Sequence, residues 1–357
     1  MYTSEQILDT TLRGEIPPRI PCICPGGMMN MLSVPLMELA GVFWPQAHQD
    51  PEAMAQLASA AYANGLFDNI GVPFCMTVEA QGMGAKVDLG DRYTEPRVTE
   101  YAIHSVEEWA QLKTLDLTEG RAKTVLEAIA LIRKKYPQAA VMGNLTGPVS
   151  LASSLVDASH FYKEMRKKPQ ETQKVMDIIT DNLLAFGMAQ IEAGAEFITI
   201  SDPSGTGEIL GPKLFEQFAL PCLNRLCRQL KSLCKGVIVH ICGQLQPIFP
   251  QLERLECSAL SVDAIVNIKQ LRQALPHKVV MGNVSTFALA GGQKDVIQNL
   301  CRTCLDQGVQ ILAPACGLGT TTEVSSIRPI DGGRKRACGG KPCCSLSLRE
   351  HRMCWSY

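Results

Sequence analysis

The sequence predicts an α/β protein built as a single (β/α)8 TIM-type barrel, with a long insertion after strand 2 and an irregular C-terminal tail. Three observations predict it. Short β-rich runs alternate with amphipathic stretches, the pattern of βα units on a parallel sheet. Eight such runs are present, which suits a closed barrel better than an open sheet. The residues after the first run read Pro-Gly-Gly-Met-Met-Asn from Pro25, without the GxGxxG fingerprint that a dinucleotide-binding sheet carries there.

In chain order, strands are expected at 19–24, 67–72, 139–143, 196–201, 237–241, 259–262, 278–281 and 309–313. Helices are expected at 51–65, 121–136, 170–194, 212–233, 246–254, 269–275 and 294–307. Gly65, Gly194 and Gly308 follow periodic stretches, where a glycine stop belongs. The insertion runs from Pro73 to Leu117, and its portion GMGAKVDLGDRY reads as a hairpin over the barrel mouth. Residues 1–327 form the expected barrel domain. From Arg328 the chain is basic and rich in Gly and Cys, with no helical period, so 328–357 reads as a disordered or aberrant tail. Cys338, Cys343, Cys344, Cys354 and His351 in it match no paired zinc-site spacing.

Composition narrows the function. Hydrophobic residues are 46% and charged residues 19% of 357, enough for a large core. With 34 Lys+Arg against 35 Asp+Glu, no strong field is available to grip a nucleic-acid backbone. The first 18 residues lack a signal-peptide pattern, and no apolar run is long enough to span a membrane. A cytoplasmic protein is expected, and its 15 cysteines are then thiols. Cys222, Cys227, Cys234, Cys257, Cys301 and Cys304 read as small buried hydrophobes, and the Cys301/Cys304 pair has no second half-site.

Chemistry is expected at the strand ends. In Val-Ile-Val-His240-Ile-Cys242, residues i and i+2 of an extended strand face the same side, at the C-terminal end where barrel enzymes act. Cys316 follows the last strand, and a barrel brings it to the same mouth. A His and two Cys with one exchangeable place describe a catalytic zinc. Asp263, just past the sixth strand, is the candidate for that fourth place and for a catalytic role. A lone histidine or cysteine is more often a packing residue, and it is the coincidence at matching strand ends that favours metal. Glu79, Asn144 and Asp202 are candidate substrate-binding residues at neighbouring strand ends, as is Asn283; each taken singly also fits a cap or turn.

Several stretches carry a resemblance: Gly-Gly-Met-Met-Asn-Met-Leu, Phe-Trp-Pro-Gln-Ala-His, Pro-Phe-Cys-Met-Thr-Val-Glu, Gly-Asn-Leu-Thr-Gly-Pro-Val-Ser, His240-Ile-Cys242-Gly, Met-Gly-Asn-Val-Ser and Ala-Pro-Ala-Cys316-Gly. Over 15–323 the chain resembles the uroporphyrinogen decarboxylase superfamily, and within it the methylcobamide:thiol methyltransferases. The resemblance implies an α/β barrel, zinc on His240, Cys242 and Cys316, and methyl transfer from a methylated corrinoid on a partner protein to a thiol such as coenzyme M. Those methyltransferases carry a glutamate where this chain has the shorter Asp263. Demethylation of a methyl donor onto the corrinoid protein is the first alternative, and a decarboxylase-like activity the second. The decarboxylases use an arginine-rich loop after the first strand, whereas residues 21–36 here contain no arginine.

Overall fold

The structure, a computed structural model, describes residues 2–328 and 330. The Cys-rich stretch 331–357, with its four cysteines and His351, lies outside the described residues. In chain order the strands are β1 (Asn69–Val72), β2 (Lys86–Asp88), β3 (Arg97–Glu100), β4 (Ala140–Thr146), β5 (Phe197–Ser201), β6 (Gly236–Ile241), β7 (Ala259–Val262), β8 (Val279–Val284) and β9 (Ile311–Pro314). β2 and β3 pair antiparallel as the hairpin of the insertion, its second strand beginning beyond the stretch expected to form it. The other seven form one parallel sheet, ordered β1-β4-β5-β6-β7-β8-β9. Every residue of those seven is buried, as strands covered on both faces must be.

The eighth place corrects an expectation. Residues 19–24 are not a ladder strand; they contribute only a parallel bridge from Cys22 to Leu312. Toward β9 the contact is backbone: Ile23 N donates to Leu312 O (3.0 Å), and Leu312 N to Pro21 O (2.9 Å). Toward β1 it is largely side-chain. Asn69 Oδ1 accepts from Cys24 N (2.8 Å) while its Nδ2 donates to Cys24 O (2.9 Å). Asp68 Oδ2 accepts from Cys22 N (2.8 Å). Pro21 and Pro25 have no N–H to give a ladder, so side chains of the neighbouring strand close the barrel instead. The approach is tight: a Cβ on Gly71 would stand 1.6 Å from Pro25 O, so only glycine fits there.

The barrel interior is a separate apolar cluster that includes Ile23, Met29, Met142, Phe197, Ile238, Met281 and Ile311. Leu8 and Leu12 join it from the helix Ser4–Leu12, which starts on a Thr3/Gln6 capping box and plugs the barrel. Outside, the expected helices appear as Pro51–Ala63, Gly120–Lys135, Pro169–Glu192, 211–231, Phe249–Glu253, Ile268–Ala274 and Lys294–Asp306. A π turn at Phe215–Ala219 interrupts the fourth of these just before Pro221, which has no N–H for the regular bond. Cys301 and Cys304 are buried in the last, as packing thiols. The chain stays helical from Val324 to Arg328, and Ile330 is fully buried, so the packed part reaches three residues past the expected boundary at 327. Among the described residues no helix is long and apolar enough to cross a membrane.

Candidate metal centre

On the inner strands every second residue faces the barrel axis. On β6 that puts Ile238 in the apolar core and His240 above it, with Cys242 just past the strand end. Cys316 follows β9 at the same mouth. His240 Nε2 lies 3.0 Å from Cys242 Sγ, and Cys242 Sγ lies 3.6 Å from Cys316 Sγ. The ligand atoms of these three residues all lie within 4.8 Å of one another, and among the described residues they are the one such group. The structure thus brings together the three residues predicted to meet.

Their chemistry fits zinc. Two sulfurs at ~2.3 Å from a tetrahedral zinc stand about 3.8 Å apart, close to the observed separation. The histidine is set for a metal on Nε2. Its Nδ1 is 3.0 Å from Ser261 Oγ, and that hydroxyl donates to Met29 Sδ at 3.4 Å. Ser261 Oγ therefore accepts from Nδ1–H, which leaves the Nε2 lone pair facing the sulfurs. The Cys242–Cys316 hydrogen bond draws the Cys316 pKa down, against burial, and Cys242 is pushed up in return. A cation between the two sulfurs would take the place of the proton in that bond. Gly243, at φ +75, completes the turn; a Cβ there would come within 2.4 Å of Glu208 Oε1.

The remaining predicted residues sit around or beneath this group. Asp263 lies outside the three-ligand group; its carboxylate accepts from Gly243 N (3.3 Å) and Ile265 N (3.1 Å), holding the turn beside Cys242. Asp202 is fully buried and caps the helix Pro148–Leu155, accepting from Ser150 N (2.8 Å), Ser150 Oγ (2.7 Å) and Val149 N (3.2 Å). Burial nevertheless raises its pKa, against those bonds. Glu79 is buried, accepts from Thr146 N (2.8 Å) and Oγ1 (3.0 Å), and is raised by burial in the same way. Asn144 Nδ2 donates to Pro25 O (2.9 Å) and Val72 O (3.1 Å), while its Oδ1 is buried without a partner. Thr199 Oγ1 and Ser201 Oγ on the adjacent β5 are likewise unpartnered, so the floor beneath His240 is polar. Asn283 Nδ2 binds Asp263 O at 2.9 Å.

Sequence reasoning missed Ser261, which carries no motif, and a second layer on the insertion side. Glu95, between β2 and β3, accepts from Asn30 Nδ2 at 2.9 Å. Asn30 packs against the turn after Cys316, accepting from Leu318 N at 2.8 Å. His48 is fully buried between Trp44 and Phe74 with both ring nitrogens unpartnered. Burial, then Arg121, lowers its pKa to about 3, so the ring is neutral. Arg121 Nη2 lies 2.7 Å from Cys75 Sγ.

The family model for uroporphyrinogen decarboxylase (URO-D) matches residues 3–330. A methylcobamide:CoM methyltransferase, MtbA of Methanosarcina acetivorans, is 30% identical over 331 residues, 92% of this chain and 96% of that protein. The methylcobamide:CoM methyltransferase MtaA of Methanosarcina barkeri is 30% identical over 337 residues, 93% and 98% of the two chains. A solved methyltransferase from Methanosarcina mazei superposes with a TM-score of 0.87 at 30% identity, covering 94% of this chain and 99% of that one. The chain belongs to the uroporphyrinogen decarboxylase family, and within it to the branch of the methylcobamide:thiol methyltransferases.

Proposed function

We propose that the protein moves a methyl group from a methylated corrinoid, carried on a partner protein, to a small thiol, with one zinc ion held by His240, Cys242 and Cys316. The observation that carries this reading is one nitrogen and two sulfurs converging within 4.8 Å at the barrel mouth. It is supported by the two relatives named as methylcobamide:CoM methyltransferases. When bound, zinc supplies the means of keeping a coordinated thiol deprotonated at neutral pH, where a free thiol near pKa ~8.5 is mostly protonated.

The chain's own groups do the rest. Cys242 and Cys316 bring two negative charges and His240 none, so a third sulfur beside them stays electron-rich. Ser261 fixes the imidazole tautomer and ring plane. Asp263, held at the edge by Gly243, is the group this reading assigns to the fourth place. Glu79 holds the end of β4, Asp202 the helix that follows it, and Asn144 the ends of 21–25 and β1, and in this reading they shape the substrate pocket from beneath. Residues 21–36 offer no arginine for the carboxylates of a porphyrinogen, which disfavours a decarboxylase reading.

Zinc X-ray absorption with and without thiol tests the proposal. The count of sulfurs around the metal, two from the protein, is expected to rise to three. An unchanged count for every thiol that accepts the methyl group would reject it. A methyl donor that reacts with Co(I) without changing that count would instead favour the donor-side reaction.

A further inference from the structure

His240 sits in a row of inward-facing residues that the strand register defines. Ser201 on β5 and Ser261 on β7 are its neighbours across the sheet, one on each side. The Ser201 hydroxyl has no partner, while the Ser261 hydroxyl stands 3.0 Å from His240 Nδ1. A histidine that holds a metal through one ring nitrogen commonly has the other fixed by a carboxylate or a backbone carbonyl, groups that only accept. A hydroxyl is different, because it can donate or accept. With Ser261 Oγ accepting, the ring proton stays on Nδ1 and the Nε2 lone pair faces the sulfurs. With the hydroxyl donating to Nδ1, the proton moves to Nε2, 3.0 Å from Cys242 Sγ, and that nitrogen has no lone pair left for a metal.

The direction of the Ser261 hydroxyl is therefore set by its second neighbour. That neighbour is Met29 Sδ at 3.4 Å, and a thioether accepts but never donates. His240, Ser261 and Met29 are each 0% exposed, so no water can take the thioether's place. Among the described residues the Ser261 hydroxyl has no third hydrogen-bond partner. The backbone of Met29 is pinned: its carbonyl accepts from Gly26 N (3.0 Å) and from the Cys24 thiol (3.2 Å). Burial pushes the Cys24 pKa up, so that thiol keeps its proton to donate. The Met29 side chain reaches the barrel axis among Ile23, Met142, Ile238 and Met281, where leucine would fill a similar volume and offer no lone pair.

We propose that Met29 is a positioning residue for the metal centre: its sulfur holds the Ser261 hydroxyl pointing away from His240 and so keeps Nε2 free to bind. The inference rests on the zinc reading above and not on the methyl transfer. It gives the loop that precedes the helix Val34–Ala40 a part in a site to which it contributes no ligand. Leucine at this position leaves the hydroxyl two choices. It turns onto Nδ1, or, when zinc binds, it is left unpaired in the core, and both work against the metal.

The test uses the full chain in reduced form, zinc, and the variants Met29→Leu and Met29→Ile, the second serving if the first does not fold. Competition with a chromophoric chelator should show zinc held about tenfold or more weakly by Met29→Leu. Imidazole nitrogen NMR spectra of the metal-free protein, with His240 assigned by its absence in His240→Gln, report which ring nitrogen carries the proton. Wild type should show it on Nδ1, and Met29→Leu should move it wholly or in part to Nε2, a change that lost packing alone would not produce. Ser261→Ala should also weaken zinc binding. Adding Met29→Leu to it should cost nothing more, because the hydroxyl through which Met29 acts is gone. The wild-type tautomer or the wild-type zinc affinity in Met29→Leu, or a further loss in the double variant, would overturn the proposal. If the wild type binds no zinc, the metal reading fails and the nitrogen spectra alone decide the role of Met29. If no thiol accepts the methyl group while both readouts respond, the transfer reading fails and the role of Met29 stands.

Discussion

Replacing Asn69 with alanine should open the barrel at its seam. The side chain is fully buried and pairs with both the N–H and the C=O of Cys24, at 2.8 and 2.9 Å, in place of a strand ladder. Removing it strands one donor and one acceptor in the core, each costing about 1–3 kcal/mol when left unmade. Alanine leaves room that water can enter only by loosening the contact between 21–25 and β1, so a loss of about 3 kcal/mol is expected. Asn69→Asp keeps the acceptor for Cys24 N–H but sets a carboxylate against Cys24 O, and should be no better at neutral pH. Urea unfolding gives the magnitude, and native-state hydrogen exchange gives the location. The Cys24 and Ile23 amides should exchange faster, while amides of β5 and β6 across the barrel keep their protection. A stability change below about 1 kcal/mol, or unchanged exchange at Cys24, would refute the claim that side chains of β1 close this barrel.

Three further outcomes are expected. Cys316→Ala should lose most of its zinc by metal analysis while its circular dichroism keeps the wild-type form, because the barrel core lies below the ligands; full zinc retention would remove Cys316 from the site. Ending the chain after Ile327 should leave zinc binding intact but cost about 2–4 kcal/mol, since buried Ile330 goes with the tail; loss of the metal would show that the tail serves the site. His48 makes stability fall on acidification: its pKa is about 3 folded against 6.5 unfolded, so the unfolded chain binds the proton first and the stabilisation present above pH 6.5 drains as pH falls toward 3. Between pH 7 and 5 this amounts to about 2 kcal/mol, and His48→Phe should flatten that part of the pH–stability curve measured by urea unfolding.

What was legible in the sequence is what depends on neighbours along the chain. Strands buried on both faces read as apolar runs, and the two-residue period alone puts His240, on β6, and Cys242, just past its end, on one side. Cys316 needed only the further step that eight βα units close on themselves. The illegible part is held by partners far apart in sequence. The first closing segment reads as a strand, but its pairing depends on Asp68 and Asn69, 46 and 45 residues away. The helix Pro148–Leu155 is announced at its own start by Pro148 alone, because the side chain that caps it is Asp202, 52 residues from Ser150. Glu95 reaches Asn30 across 65 residues through an insertion whose sequence shows a hairpin and not where its tip lands. Chemistry needing one residue type at one spacing is written locally, whereas the path of a long insertion is set by contacts far along the chain.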